Sequence, residues 1–235
     1  MDNIANINQK SAQRWENAAK TLWVCALIIG ILHIVTTLVN IFAPEFTFLF
    51  STLPGIIIYI AMWIQVSRMN DWLSTLNPNK DAIYTHLNRF RIGYKTPLVC
   101  MAILFAAMLL MTVFSRFLGQ ATMIIEIVVY LGFIVGLVVG CIFLLMGAIS
   151  LACSKSVDKN LSTGMTLLIT SWGVNIASVV IYFVAAATEP NYNTLVTIAQ
   201  LISIILLANP ILQIVAWRYI SKTKYPHLEE AAQLQ

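Results

Sequence analysis

The feature that most constrains this chain is an apolar run from about Ala121 to Cys153, within which Gly132, Gly136 and Gly140 recur every four residues. At 1.5 Å per residue such a run measures about 50 Å as a helix. A hydrocarbon core needs only about 20 helical residues, so the helix must tilt, bend or protrude. The three glycines form two overlapping GxxxG steps on one face. In lipid, a face without side chains lets a second helix approach closely, and that contact replaces the hydrophobic force that joins helices in water. This helix is therefore expected to be the packing post of a membrane bundle.

Composition agrees. Of 235 residues, 59% are hydrophobic and 10% are charged, whereas soluble domains carry about 25% charged residues. The apolar residues come in six blocks, at about 21–42, 47–67, 97–115, 121–153, 164–188 and 193–219. Helices are the only open-ended structure that satisfies every backbone group in lipid. The expected fold is an all-α polytopic bundle of six transmembrane helices, preceded by a polar lead-in over 1–20 and followed by a tail over 220–235. Those first twenty residues are too polar for a secretory signal, and the run after them is too long for one. Ser11 is a candidate cap for a helix entering the first span.

Of the 14 basic residues, 13 fall on one side of this arrangement and only Arg116 falls on the other. The positive-inside rule then places both termini and the two longer loops in the cytoplasm, in a cell membrane. The net charge of +4 is thus explained by topology, and no nucleic-acid partner is expected. In the loop between Arg68 and Lys95, Asn77-Pro78 reads as a helix start. Ile83, Leu87, Phe90 and Tyr94 then recur at helical spacing. An interfacial amphipathic helix over about 78–92 is expected, with Arg89, Arg91 and Lys95 facing anionic headgroups. A helix docking a partner protein is the alternative.

Polar residues inside the spans are few and fall on stripes. His33, Thr37 and Asn40 follow Gly30 along span one; Ser171 and Asn175 share a face of span five; Gln200, Asn209 and Gln213 lie in span six, around Pro210. They are candidates for a solute path, or simply for hydrogen bonds between helices. Pro210 predicts a bend, with the carbonyl near Leu206 freed for Asn209 or Gln213. Glu126 stands near the outer end of span four, within reach of Arg116 across a short turn. At the core centre a carboxylate would cost about 3 kcal/mol and imply proton or cation handling; at the interface it costs less. Cys25, Cys100, Cys141 and Cys153 lie in apolar runs without the spacing of a disulfide framework or metal site. Nucleophile, phosphate-loop and metalloprotease motifs are absent, so neither enzyme activity nor a cofactor is expected.

Two functions are compatible with this pattern. One is a non-enzymatic scaffold or accessory protein that packs, through the glycine face, with itself or with another membrane protein. The other is a small transporter or channel using the polar stripes and Glu126. Convergence of His33, Asn40, Glu126, Asn175 and Gln200 or Asn209 on one water-accessible cavity would favour the second; single hydrogen bonds to different neighbours, with no cavity, would favour the first.

Overall fold

The computed structural model describes residues 2–42, 47–118, 121–154, 157–188 and 192–226, and over these it is all-helical. The helices are α1 (Asp2–Phe42), α2 (Thr47–Ser74), α3 (Ala82–Leu118), α4 (Ala121–Cys153), α5 (Lys159–Thr188), α6 (Tyr192–Leu206) and α7 (Ala208–Ile220). Five stretches among the described residues are long and apolar enough to cross a membrane: Gln9–Phe42, Ala82–Val113, Ile124–Cys153, Lys159–Thr188 and Thr197–Ile220. The chain is accordingly built as a multi-pass membrane protein. α2 is not among the five, and the side chains of its first six residues lie outside the described part.

Neighbouring helices run antiparallel and close a ring in the order α1, α2, α3, α4, α5, α7 and back to α1. The pairings fix the directions. Trp15 meets Trp72, and Gln65 meets Leu22. Gly93 meets Leu144, and Gly164 meets Ala216 and Ile220. Gly30 meets Ile214. One end of the ring therefore carries the start of α1, the end of α2, the start of α3 and the end of α7. Nearly all described basic residues lie there.

The core is concentrated at that basic end. Trp15, Leu22, Trp72, Phe90, Leu151, Leu161, Met165, Leu168, Trp217 and Ile220 are buried together. Towards the opposite end few described side chains are buried, among them Met111, Ser178 and Ile202. The lead-in expected to be merely polar belongs to this core: α1 is already helical before Ser11, and Ala12, Trp15, Ala19 and Leu22 form its inward stripe. Ser11 is thus inside a helix and caps none.

The segment expected to lie on the membrane surface is placed differently. The chain turns over Thr75–Asp81, where the Asp81 carboxylate accepts from the Asn77 backbone N–H at 2.6 Å. α3 then runs unbroken from Ala82 through Pro97 into the third apolar block. Ile83, Leu87 and Phe90 are buried in the core. Their apolar face packs on protein because Gly147 of α4 admits the Phe90 backbone, which would lie 2.5 Å from a Cβ there. A continuous helix follows, and Pro97 becomes an interior proline. It leaves the Gly93 carbonyl without its helical donor, and that carbonyl lies against Gly140, 3.3 Å from an added Cβ.

Three glycines of α4 face α3: Gly136 faces Cys100, Gly140 faces Pro97 and Gly93, and Gly147 faces Phe90. Gly93 answers from α3 by admitting the Leu144 backbone. Gly132 has nothing within 4 Å of an added Cβ. The close-approach seam therefore lies within the chain and is shifted towards the basic end relative to the expected Gly132–Gly140 ladder.

Candidate functional site: a cavity inside the helix ring

A cavity of about 250 Å³ lies within the ring and is lined from all six of its helices. α1 supplies Ala26, Ile29 and His33, and α2 supplies Met62 and Gln65. α3 supplies Gly93, Tyr94 and Pro97, and α4 supplies Cys141 and Leu144. Trp172 of α5 and Gln213 and Trp217 of α7 complete it. Each lining position follows from a close helix contact: Gly93 and Pro97 are brought in by the glycine seam of α4, and Gly30 lets α7 approach α1 at Pro210 and Ile214.

The end nearest the basic face is sealed by aromatic rings. Phe90 and Tyr94 have centroids 5.2 Å apart, Phe90 lies 6.3 Å from Trp217, and Tyr94 meets Trp217 edge-on at 6.1 Å. Trp172 stands 6.5 Å from Phe90. The edge-on contact of Tyr94 with Trp217 ties α7 to α3 across this floor. Beneath it, Trp15 and Trp72 stack, and Tyr225 leans on Trp15 with its hydroxyl donating to the Thr75 carbonyl at 3.0 Å.

The polar groups of the cavity are uncharged amides, a phenol and an imidazole. Gln65, almost fully buried, donates from Nε2 to the Leu22 carbonyl at 3.2 Å, which holds α2 against α1. Gln213 donates from Nε2 to Asn209 Oδ1 at 3.4 Å, and the same oxygen accepts a hydrogen bond from Ser171 Oγ. Among the described residues no Asp, Glu, Lys or Arg lines the space. Among the described residues no group of His, Cys, Asp and Glu could hold a metal ion.

The helix containing Pro210 breaks rather than merely bends. α6 ends at Leu206, the Leu207 N–H turns back to the Ile204 carbonyl at 3.1 Å, and α7 starts at Ala208. The proline ring cannot donate to the Leu206 carbonyl. Asn209, beside the break, is held by Ser171 and Gln213. Broken helices inside a bundle expose polar backbone where it can serve a solute.

Of the candidate path residues, His33 and Gln213 line the cavity, and Ser171 and Asn209 form the bonded pair behind Gln213. Thr37 and Asn175 are half-buried and lie outside it; Asn40, Gln200 and Glu126 are exposed and also lie outside it. The stripes continue past the cavity towards the end where few described side chains are buried. The Arg116 side chain, the expected partner of Glu126, is outside the described part. Arg91 donates to Asn70 Oδ1 at 2.6 Å, joining α3 to α2, while Arg89 is half-buried and Lys95 exposed. Sequence reasoning missed Gln65, Tyr94, Trp172 and Trp217 as lining. Gln65, a glutamine within an apolar block, carries the same sequence signal as Gln213.

No protein-family model, no curated protein and no solved structure matches the chain. The class defined by fold and cavity is that of a multi-pass helical membrane protein with an internal, uncharged polar pocket.

Proposed function

We propose that this chain is a six-span transporter- or channel-class protein that admits a small uncharged solute into its helix ring. The observation that carries this reading is the cavity to which all six ring helices contribute. A bundle built only to pack would fill its axis with side chains. Here the axis keeps a space lined by His33, Gln65, Tyr94 and Gln213. At about 250 Å³ it is below the ~300 Å³ at which drug-sized pockets begin, so the solute is small. A lining with amides and aromatic faces but no fixed charge suits a neutral hydrogen-bonding molecule, because a bare ion would enter at a large desolvation cost.

In this reading α2 is the sixth span, both termini are cytoplasmic, and the protein resides in a cell membrane. The aromatic floor then closes the cavity on the cytoplasmic side, and entry is from the opposite, loosely packed half. Glu126, remote from the cavity, has no part in solute binding. The competing scaffold reading retains two supporting observations: of the expected path residues only His33 and Gln213 line the cavity, and Gly132 faces open space and could admit a helix from another chain.

The test is uptake of small neutral solutes and of ions into vesicles containing the purified protein. Saturable uptake of a neutral solute, reduced in Gln65→Leu and Gln213→Leu but not in Glu126→Gln, supports the reading. Uptake of ions alone, abolished by Glu126→Gln, contradicts it.

A further inference from the structure

A second site lies outside the ring, in a groove of about 800 Å³ between the first turns of α1 and the last turns of α2. We infer that this groove binds the phosphate of an anionic phospholipid headgroup. Lys10 and Arg14, four residues apart, project from one face of α1, and Arg68 faces them from α2. Among the described residues Asp71 is the one carboxylate in the lining, and Arg68 already engages it at 2.9 Å. Two cationic side chains are left over.

The neutral groups point the same way. Asn70 Oδ1 accepts from Arg91 at 2.6 Å, which leaves its NH₂ as the free end. Ser74 Oγ donates to the Asp71 carbonyl at 2.7 Å and accepts only a long 3.5 Å bond from Arg14. The Asn70 and Ser74 acceptors are thus engaged by the protein, and the Lys10 and Arg14 cations remain. That is the composition of an anion site.

Position identifies the source of the anion. Asn17, at the inner edge of the groove, precedes the apolar run that starts near Thr21 by four residues, or about 6 Å of helix. The headgroup layer of each leaflet is about 5–7 Å thick. A lipid whose chains lie beside α1 and α2 therefore has its phosphate at the level of Asn17 and Arg68, where the long Arg14 side chain, one turn further out, can reach it; the groove continues outward past Lys10 to hold the rest of the headgroup. The stacked Trp15 and Trp72 beneath fix the two walls of the groove. Juxtamembrane basic side chains contribute additively to anionic-lipid binding.

The test uses the full chain in detergent micelles, titrated with phosphatidylglycerol or phosphatidylcholine and read by native mass spectrometry. Lys10→Gln with Arg14→Gln should weaken phosphatidylglycerol binding about 30-fold and leave phosphatidylcholine unchanged. Both residues are exposed, so the fold should persist, which a thermal melt verifies. Lys222→Gln with Lys224→Gln, at the same end but outside the groove, should leave phosphatidylglycerol binding as it was. Equal losses in both pairs, or none in the first, would overturn the assignment. So would binding of glycerol phosphate as tight as that of the lipid, which would make the groove a site for soluble phosphate.

Discussion

The indole N–H of Trp72 donates a 3.0 Å hydrogen bond to the carbonyl oxygen of Trp15, and the two rings stack with centroids 4.8 Å apart and planes 16° from parallel. Both side chains are fully buried, so this contact joins α1 to α2 at the basic end. Trp72→Ala should destabilise the protein by about 3–5 kcal/mol, the usual cost of removing a buried large aromatic. Trp72→Phe keeps an aromatic face and should cost less. Unfolding by titration with a denaturing detergent measures both. Equal, small losses would mean that the two helices are joined elsewhere.

Glycine substitutions should separate by what each new Cβ meets. At Gly93 it would strike the backbone of Leu144, which cannot move without shifting α4. At Gly136 it would meet the Cys100 sulfur, the free end of a side chain. At Gly132 it would meet nothing within 4 Å. Gly93→Ala should therefore be the most damaging, by about 1–3 kcal/mol as for other overpacked sites. Gly136→Ala should be milder, and Gly132→Ala neutral in the monomer. The same unfolding titration ranks them, and a ranking led by Gly132 would contradict the α3–α4 seam.

Ser171 and Asn209 offer a pairwise test. Ser171 is fully buried, and its hydroxyl donates to Asn209 Oδ1. A double-mutant cycle with Ser171→Ala and Asn209→Ala should give a coupling of about 0.6–1.7 kcal/mol, the range for hydrogen bonds between membrane helices. A coupling indistinguishable from zero would remove this bond as the anchor of the α6–α7 break.

The helical, multi-pass character was legible because block length and the scarcity of charge determine it directly. The contact between Pro210 and α1 was not, because a proline announces a break without naming the helix that fills it. The segment 82–94 shows a sharper limit. Its apolar stripe was read correctly as one face of a helix, but spacing cannot tell whether lipid or protein covers that face. Gly147, fifty-four residues after Gly93 in the chain, decides it, and only tertiary structure brings the two elements together. The Ala12–Trp15–Ala19–Leu22 stripe could have been found by the same periodicity, had the charged residues around it not suggested a solvated tail. His33 and Gln213 were singled out by polarity in apolar surroundings. The aromatic lining was not, since tryptophan in a membrane chain is usually an interfacial anchor.

Orientation gives a further prediction. Thr85 is exposed near the start of α3, at the basic end. In a cysteine-free background, Thr85→Cys should react with an impermeant maleimide only after the cytoplasmic face is opened. Labelling in intact cells would invert the proposed topology.

The central claim, a solute-accessible cavity inside the ring, is tested most directly at Cys141. This residue lines the cavity twelve positions before Cys153, or about 18 Å along the helix from that end. Thiosulfonates react with thiolates in water and not with thiols packed in lipid. With Cys25, Cys100 and Cys153 replaced by alanine, a charged thiosulfonate should modify Cys141 in membrane vesicles, and His33→Trp should slow the reaction by filling the space. A Cys141 that stays unmodified, in vesicles where the Thr85→Cys chain reacts, would contradict the account.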